Sequence, residues 1–280
     1  MLQVSERELK EVPLTGNDPH GNDRDAWAAV EAAPLFTGVS PEDFRRISAG
    51  AWLKQFSRGE MLYLEEDTVE QVLLLVTGSV KITQQGPKGG EVILRLSAPG
   101  DVLDAVGLFS TGRHCTTAQA ISECRMLVWD AGIFKDLLEC LPVLHRNMTR
   151  SICGHFQQLE ERFRELATER VALRVARQLI RLQERVGAPE KGKVEIGLSP
   201  EGLAQMTGTT EYTVSRLLSA WGEQGLVVWR REAVITSDVS ALAEYSRRTN
   251  RYLQVLSSQA FLHCWVRRRS TPHLARPLVQ

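Results

Sequence analysis

The residues whose types and spacing can do chemistry cluster in one short stretch: Thr209, Thr210, Glu211, Tyr212, Ser215 and Arg216. The chemistry they suit is the recognition of bases and phosphates. The guanidinium fork of Arg216 matches the O6 and N7 acceptors of guanine, a pairing worth about 1–3 kcal/mol of discrimination. Ser215 suits a phosphate or an adjacent base, and Tyr212 suits a thymine methyl or a phosphate. Arg230 and Arg231 follow closely enough to touch the DNA backbone. The chain contains no GxSxG, HExxH or P-loop string, and no enzymatic activity is expected.

The surrounding residues supply the elements that would position this cluster. Ser199-Pro200-Glu201 is a helix start: the hydroxyl accepts from a free amide, proline presets φ, and the carboxylate favours the dipole. Leu203, Ala204 and Met206 give that helix an apolar face, and Thr207-Gly208 makes a tight turn. Thr209 or Thr210 then caps a second helix running to about Gln224, with Val214, Leu217, Leu218 and Trp221 inward. Gly225 ends it, and Leu226–Trp229 with Ala233–Thr236 reads as a β-hairpin wing carrying Arg230 and Arg231. In a helix-turn-helix, the N-terminal part of the second helix reaches base edges. The alternative is an ordinary helical hairpin with no ligand, against which the wing and the charge distribution both argue.

The 280 residues have zero net charge, but the charges are unevenly spread. Residues 1–166 hold 17 Lys+Arg against 24 Asp+Glu, and residues 167–280 hold 17 against 10. The basic part contains the helix-turn-helix, as phosphate neutralisation requires. No apolar run long enough for a membrane span and no leader pattern is seen, so a cytoplasmic protein without membrane contact is expected. Cys115, Cys124, Cys140, Cys153 and Cys264 are scattered without metal-ligand spacing and are expected to be reduced thiols.

Length and patterning predict an α+β chain in several parts. Residues 1–25 read as a flexible tail and 26–140 as a β-roll sensor domain, with two short helical stretches before Gly50, the second capped by Ser40. Strands are predicted over Met61–Leu64, Gln71–Val76, Ser79–Thr83, Glu91–Leu96 and Arg125–Val128, separated by glycine-rich turns. Residues 141–166 read as a long helix with Leu141, Leu144, Met148, Ile152, Leu159, Phe163 and Leu166 as its stripe. Such a stripe packs on its own chain or against its copy in a second subunit, and the second reading makes it a dimerisation helix. Residues 167–246, starting with a helix over Glu169–Val186 that Gly187-Ala188-Pro189 stops, form the winged helix-turn-helix domain. Residues 247–280 form a basic C-terminal extension, with a helical hint around Leu256, Phe261, Leu262 and Trp265.

This order, with Thr213-Val214-Ser215-Arg216-Leu217-Leu218, the Gly59, Gly78 and Pro99-Gly100-Asp101 turns and the Gly107-Leu108-Phe109 segment, resembles the CRP/FNR family of bacterial transcription regulators. The resemblance spans about Leu35 to Tyr245. It implies a cyclic-nucleotide-binding-like β-roll, a homodimer on a two-fold symmetric double-stranded operator, an activator's contact with RNA polymerase, and an effector controlling DNA binding through the dimer helix.

The resemblance also places an effector pocket at Asp104, Ala105, His114, Cys115 and Thr116. Cyclic-nucleotide binders of the family carry Gly-Glu and Arg-Ser or Arg-Thr pairs where this chain has Asp104-Ala105 and His114-Cys115, which implies that cyclic AMP is not the effector. With no cysteine before Cys115, the iron–sulfur cluster of the oxygen-sensing branch is not expected. The haem-using branch makes His114, Cys115, His145 and His155 candidate ligands here. Cysteine redox sensing at Cys115 or Cys124 is a further option. Many relatives carry Glu where Tyr212 stands, so a different operator sequence is expected. The competing functional readings are a regulator that needs no effector and a module that docks on another protein.

Overall fold

Strand β3 (Gln71–Thr77) holds five consecutive buried residues, Val72 to Val76, because its sheet is covered on both faces. Leu73 and Leu75 point into the roll beside Val80, Ile82, Met126 and Val128. Val72, Leu74 and Val76 point the other way, onto Trp129, Phe134 and Met148. The computed structural model describes residues 30–31, 33–103, 105–186, 188–190, 193–230, 233–236, 241–242 and 244–245. The predicted tail over 1–25, the extension over 247–280, Asp104, Arg231 and Cys264 lie outside them.

Two antiparallel four-stranded sheets form the roll. One has the order β1 (Ala51–Phe56), β8 (Cys124–Asp130), β3, β6 (Val102–Leu103); the other has β2 (Met61–Tyr63), β7 (Thr117–Ala120), β4 (Val80–Gln85), β5 (Glu91–Ser97). β1, β6 and β7 are absent from the sequence-based strand assignment. β6 is two residues long and β7 reads Thr-Ala-Gln-Ala, so pairing with longer neighbours, rather than side-chain pattern, makes them strands.

Against the outer face of the first sheet lie a 3-10 turn (Pro34–Phe36) and helices α1 (Pro41–Ala49) and α3 (Ala131–Cys140), while the short α2 (Ala105–Phe109) follows β6. Ser40 caps α1 as predicted, accepting from the Asp43 amide. The long helix α4 (Pro142–Thr168) begins at Pro142, where the missing N–H costs nothing. Its 27 residues extend about 40 Å. Asn147 ties its first turns down, donating to the Leu35 and Thr37 carbonyls at 2.9 and 2.7 Å.

Helices α5 (Val171–Val186), α6 (Pro200–Thr207) and α7 (Glu211–Glu223) follow, with a third antiparallel sheet of order β11 (Val227–Trp229), β12 (Val234–Thr236), β10 (Lys193–Ile196), β9 (Ala188–Glu190). The predicted wing is the β11–β12 hairpin. Helix α5 ends at Val186, as the Gly187-Ala188-Pro189 stop predicts, and Ala188 and Pro189 also begin β9, a strand absent from the sequence-based assignment. This strand sits at the sheet edge, where a proline forfeits no needed ladder bond. Among the described residues no helix is long and apolar enough to cross a membrane.

Candidate functional site

The helix-turn-helix is set by local chemistry at three points. Ser199 accepts from the Gly202 amide at 3.1 Å and opens α6. Gly208 then takes φ +61°, a left-handed turn that Cβ-bearing residues disfavour, and the Thr209 amide returns to the Ala204 carbonyl at 3.2 Å. Of the two candidate caps, Thr210 is the one used: its Oγ accepts from the Thr213 amide. Val214, Leu218 and Trp221 are buried, while Leu217 is only partly so.

This anchoring leaves the first turns of α7 facing outward. Glu211 and Arg216 are exposed, Ser215 and Thr209 are half-buried, and Tyr212 is 72% exposed, far more than an aromatic ring kept for packing. Arg216 lies over the Tyr212 ring at 5.8 Å, one helical turn on, a cation–π contact worth about 0.5–1 kcal/mol at an exposed site. Arg230 is exposed at the wing, its amide bonded to the Ala233 carbonyl at 2.7 Å. Glu211, Tyr212, Ser215 and Arg216 thus share one helical end, with Arg230 on the adjoining hairpin.

The apolar stripe of α4 divides in two. Leu144 and Met148 are buried on the roll, with Ile152 packed at its margin. Beyond them Phe156, Leu159, Phe163 and Leu166 are exposed, Phe156 by 61% and Phe163 by 74%. Sequence reasoning omitted Phe156, although Ile152, Phe156, Leu159, Phe163 and Leu166 alternate steps of four and three, the seam of a coiled coil. The first half of the stripe is buried on its own chain, and the second half leaves large apolar side chains open to solvent.

Of the expected effector-pocket residues, Ala105, His114, Cys115 and Thr116 lie in the segment between β6 and β7. Ala105 begins α2 and is buried. His114 is 7% exposed, its amide bonded to the Asp67 carbonyl at 2.8 Å and its ring stacked on Tyr63 at 3.9 Å. The Cys115 carbonyl accepts from Gln84 Nε2 at 2.8 Å, and its thiol lies 3.9 Å from Ser110 Oγ. The cation of this segment is Arg113, which sequence reasoning passed over. It is exposed, and its Nη1 donates to the Glu66 carbonyl at 2.7 Å, bracing a neighbouring loop.

The haem candidates are not gathered. His145, exposed on α4, shares a groove of about 440 Å³ with Phe109, Leu138 and Pro142. His155 stands ten residues further along the same helix, about 15 Å away, at 3.4 Å from an Arg185 nitrogen. Burial, with Arg95 and Arg185 adding and Asp101 opposing, pushes the His155 pKa down to about 4. Cys124 is buried inside the roll; burial raises its thiol pKa despite bonds to the Ser79 and Ser122 carbonyls, so the reactive thiolate is disfavoured. Cys115, Cys124, Cys140 and Cys153 are free thiols.

Comparison with known proteins agrees with this architecture. The family model for a cyclic nucleotide-binding domain matches residues 53–139, and that for a Crp-like helix-turn-helix domain matches residues 173–245, together more than half of the chain. A CRP-like cAMP-activated global transcriptional regulator of Mycobacterium tuberculosis is 25% identical over 217 residues, covering 77% of this chain and 97% of the relative. The global nitrogen regulator of Synechococcus elongatus is also 25% identical, covering 72% of this chain and 94% of that protein. Among solved structures, FixK2 from Bradyrhizobium japonicum superposes with a TM-score of 0.62 at 23% identity, covering 69% of this chain and 96% of that one. With the roll, the long helix and the winged helix-turn-helix in this order, the chain belongs to the CRP/FNR family.

Proposed function

We propose that this protein is a homodimeric, sequence-specific transcription regulator in which an effector bound by the β-roll controls DNA binding. The observation that carries the reading is the outward face of α7, where a capped helix start presents Glu211, Tyr212, Ser215 and Arg216 to solvent, with Tyr212 72% exposed and the Arg216 guanidinium of the same face lying over its ring. It is not an enzyme; it acts in the cytoplasm and contacts RNA polymerase when bound at a promoter. The functional parts are residues 26–140 for sensing, 141–166 for dimerisation and 167–246 for DNA. The bare Phe156–Leu166 seam supports the dimer, since four exposed large apolar side chains on one helix gain by pairing with a second copy.

The effector is not cyclic AMP held by a buried arginine. A cyclic phosphate needs a charge partner, and in the 105–116 segment the guanidinium is exposed and bonded elsewhere while Cys115 and the stacked His114 line the segment. Titration calorimetry with cyclic AMP is expected to give no binding at micromolar concentration; a micromolar Kd overturns this reading. A mobility-shift assay with genomic fragments tests DNA binding. Arg216→Ala is expected to lose about ten- to a hundredfold in affinity for the preferred fragment, with non-specific binding retained. Equal loss on all fragments would make Arg216 a phosphate contact.

A further inference from the structure

Strand β5 belongs to the roll by its backbone and to the DNA-reading half by its side chains. Ile93 and Leu96 share one apolar core with Val175 and Leu179 of α5, Leu203 of α6 and Val214 of α7. At the margin of this core Arg162 of α4 turns its guanidinium inward. Nη1 donates to the Leu94 carbonyl, and Nη2 donates to the Ile93 carbonyl at 3.2 Å and the Met206 carbonyl at 2.7 Å. One side chain of the long helix therefore joins β5 to the last turn of α6, two residues before the Gly208 turn that aims α7. A helix C-terminus is where carbonyls lack partners and favour a cation. Burial first, then Arg181, lowers the Arg162 pKa to about 10, with Glu165 opposing, and the group stays charged at neutral pH. A second fastening runs beside it: Arg185 of α5 places Nη2 at 2.9 Å from both Asp101 oxygens in the turn after β5.

Resting on the regulator reading above, we propose that Arg162 is a positioning residue that makes the β4–β5 hairpin and the helix-turn-helix move as one body. A displacement of the hairpin in the sensor domain then reaches α7 directly, in addition to any route through the α4–α5 junction. Three carbonyls on two elements need the planar fork, and a lysine ammonium is a point charge on a flexible stem that does not reproduce it.

Hydrogen exchange read by mass spectrometry on the full chain tests this with Arg162→Gln and Arg162→Lys. Without DNA, peptides covering 91–97 and 200–208 are expected to exchange about tenfold faster together in Arg162→Gln, and partway in Arg162→Lys, while 71–77 stays as in the wild type. With the preferred duplex added, protection in the wild type extends from α7 to 91–97; in Arg162→Gln it stops at the helix-turn-helix. Where Arg162→Gln fails to fold, Arg162→Lys reads the same two peptides. Unchanged exchange, or loosening of one peptide without the other, overturns the proposal. The DNA-free arm separates the two claims: a wild type that selects no sequence refutes the regulator reading, and the paired exchange still decides the coupling.

Discussion

Glu165→Gln is the substitution whose effect can be worked most fully from the geometry. The Glu165 side chain is 3% exposed on α4, and its two oxygens accept from Arg181 Nη1 and Nη2 at 2.7 and 2.8 Å, with Arg177 Nη1 at 3.4 Å. The amide keeps the shape, but it removes the charge and turns a donor toward a guanidinium. Breaking a fully buried pair in this way costs about 3–5 kcal/mol. Arg181 is 31% exposed and recovers some hydration, which brings the expected loss to about 2–3 kcal/mol. For a chain of this size that is about 5–10 °C in Tm. Burial alone would raise the carboxyl pKa, but the Arg181 bonds, with Arg177, outweigh it and hold the value below its usual 4.5. A folded pKa below the unfolded one gives stability that is complete above the unfolded value and is lost as the pH falls through the folded value. Thermal unfolding of wild type and variant should therefore differ at pH 7 and converge below about pH 4.5. A Tm change under about 1 °C at neutral pH, or a gap that persists in acid, refutes the reasoning.

Two further outcomes follow from neighbouring side chains. His155, with a folded pKa of about 4, stays neutral while the unfolded chain takes up a proton near 6.5, so stability should fall as the pH drops from 6.5 to 4. Urea titrations should show a slope of up to about 1 kcal/mol per pH unit there, and His155→Gln should flatten it. Phe163→Glu, at the most exposed ring of the α4 seam, should raise the dimer Kd by about thirtyfold or more in analytical ultracentrifugation without shifting the far-UV spectrum. A dimer of unchanged affinity would place the two-fold contact elsewhere.

The features legible in the sequence were those fixed by neighbours a few residues away. Ser40, Ser199 and Thr210 cap their helices through bonds to amides three residues on, and Gly208 ends α6 by its own backbone freedom. The β11–β12 wing was readable because its two strands are separated by only four residues in the sequence. Strands β1, β6, β7, β9 and β10 were not readable. The last four are four residues or shorter, and the six-residue β1 joins them in owing its identity to a partner strand that local pattern does not name. The split of the α4 stripe was also hidden: the same apolar spacing serves Leu144 in the core and Phe163 in the open, and only the position of the roll separates them. Arg162 left no local trace, because its acceptors lie 68, 69 and 44 residues away in the chain. At the pocket, the missing arginine is visible in the sequence at His114-Cys115, whereas the role of Arg113 is not, because it depends on the loop carrying Glu66.

The central claim is that two copies of α7 read a symmetric DNA site. Selection of bound sequences from a random duplex pool tests it most directly. The expected result is enrichment of an inverted repeat with half-site centres about one helical turn apart and a guanine in each half-site whose preference disappears in Arg216→Ala. Recovery of no preferred sequence, or of a single unpaired half-site, would contradict it.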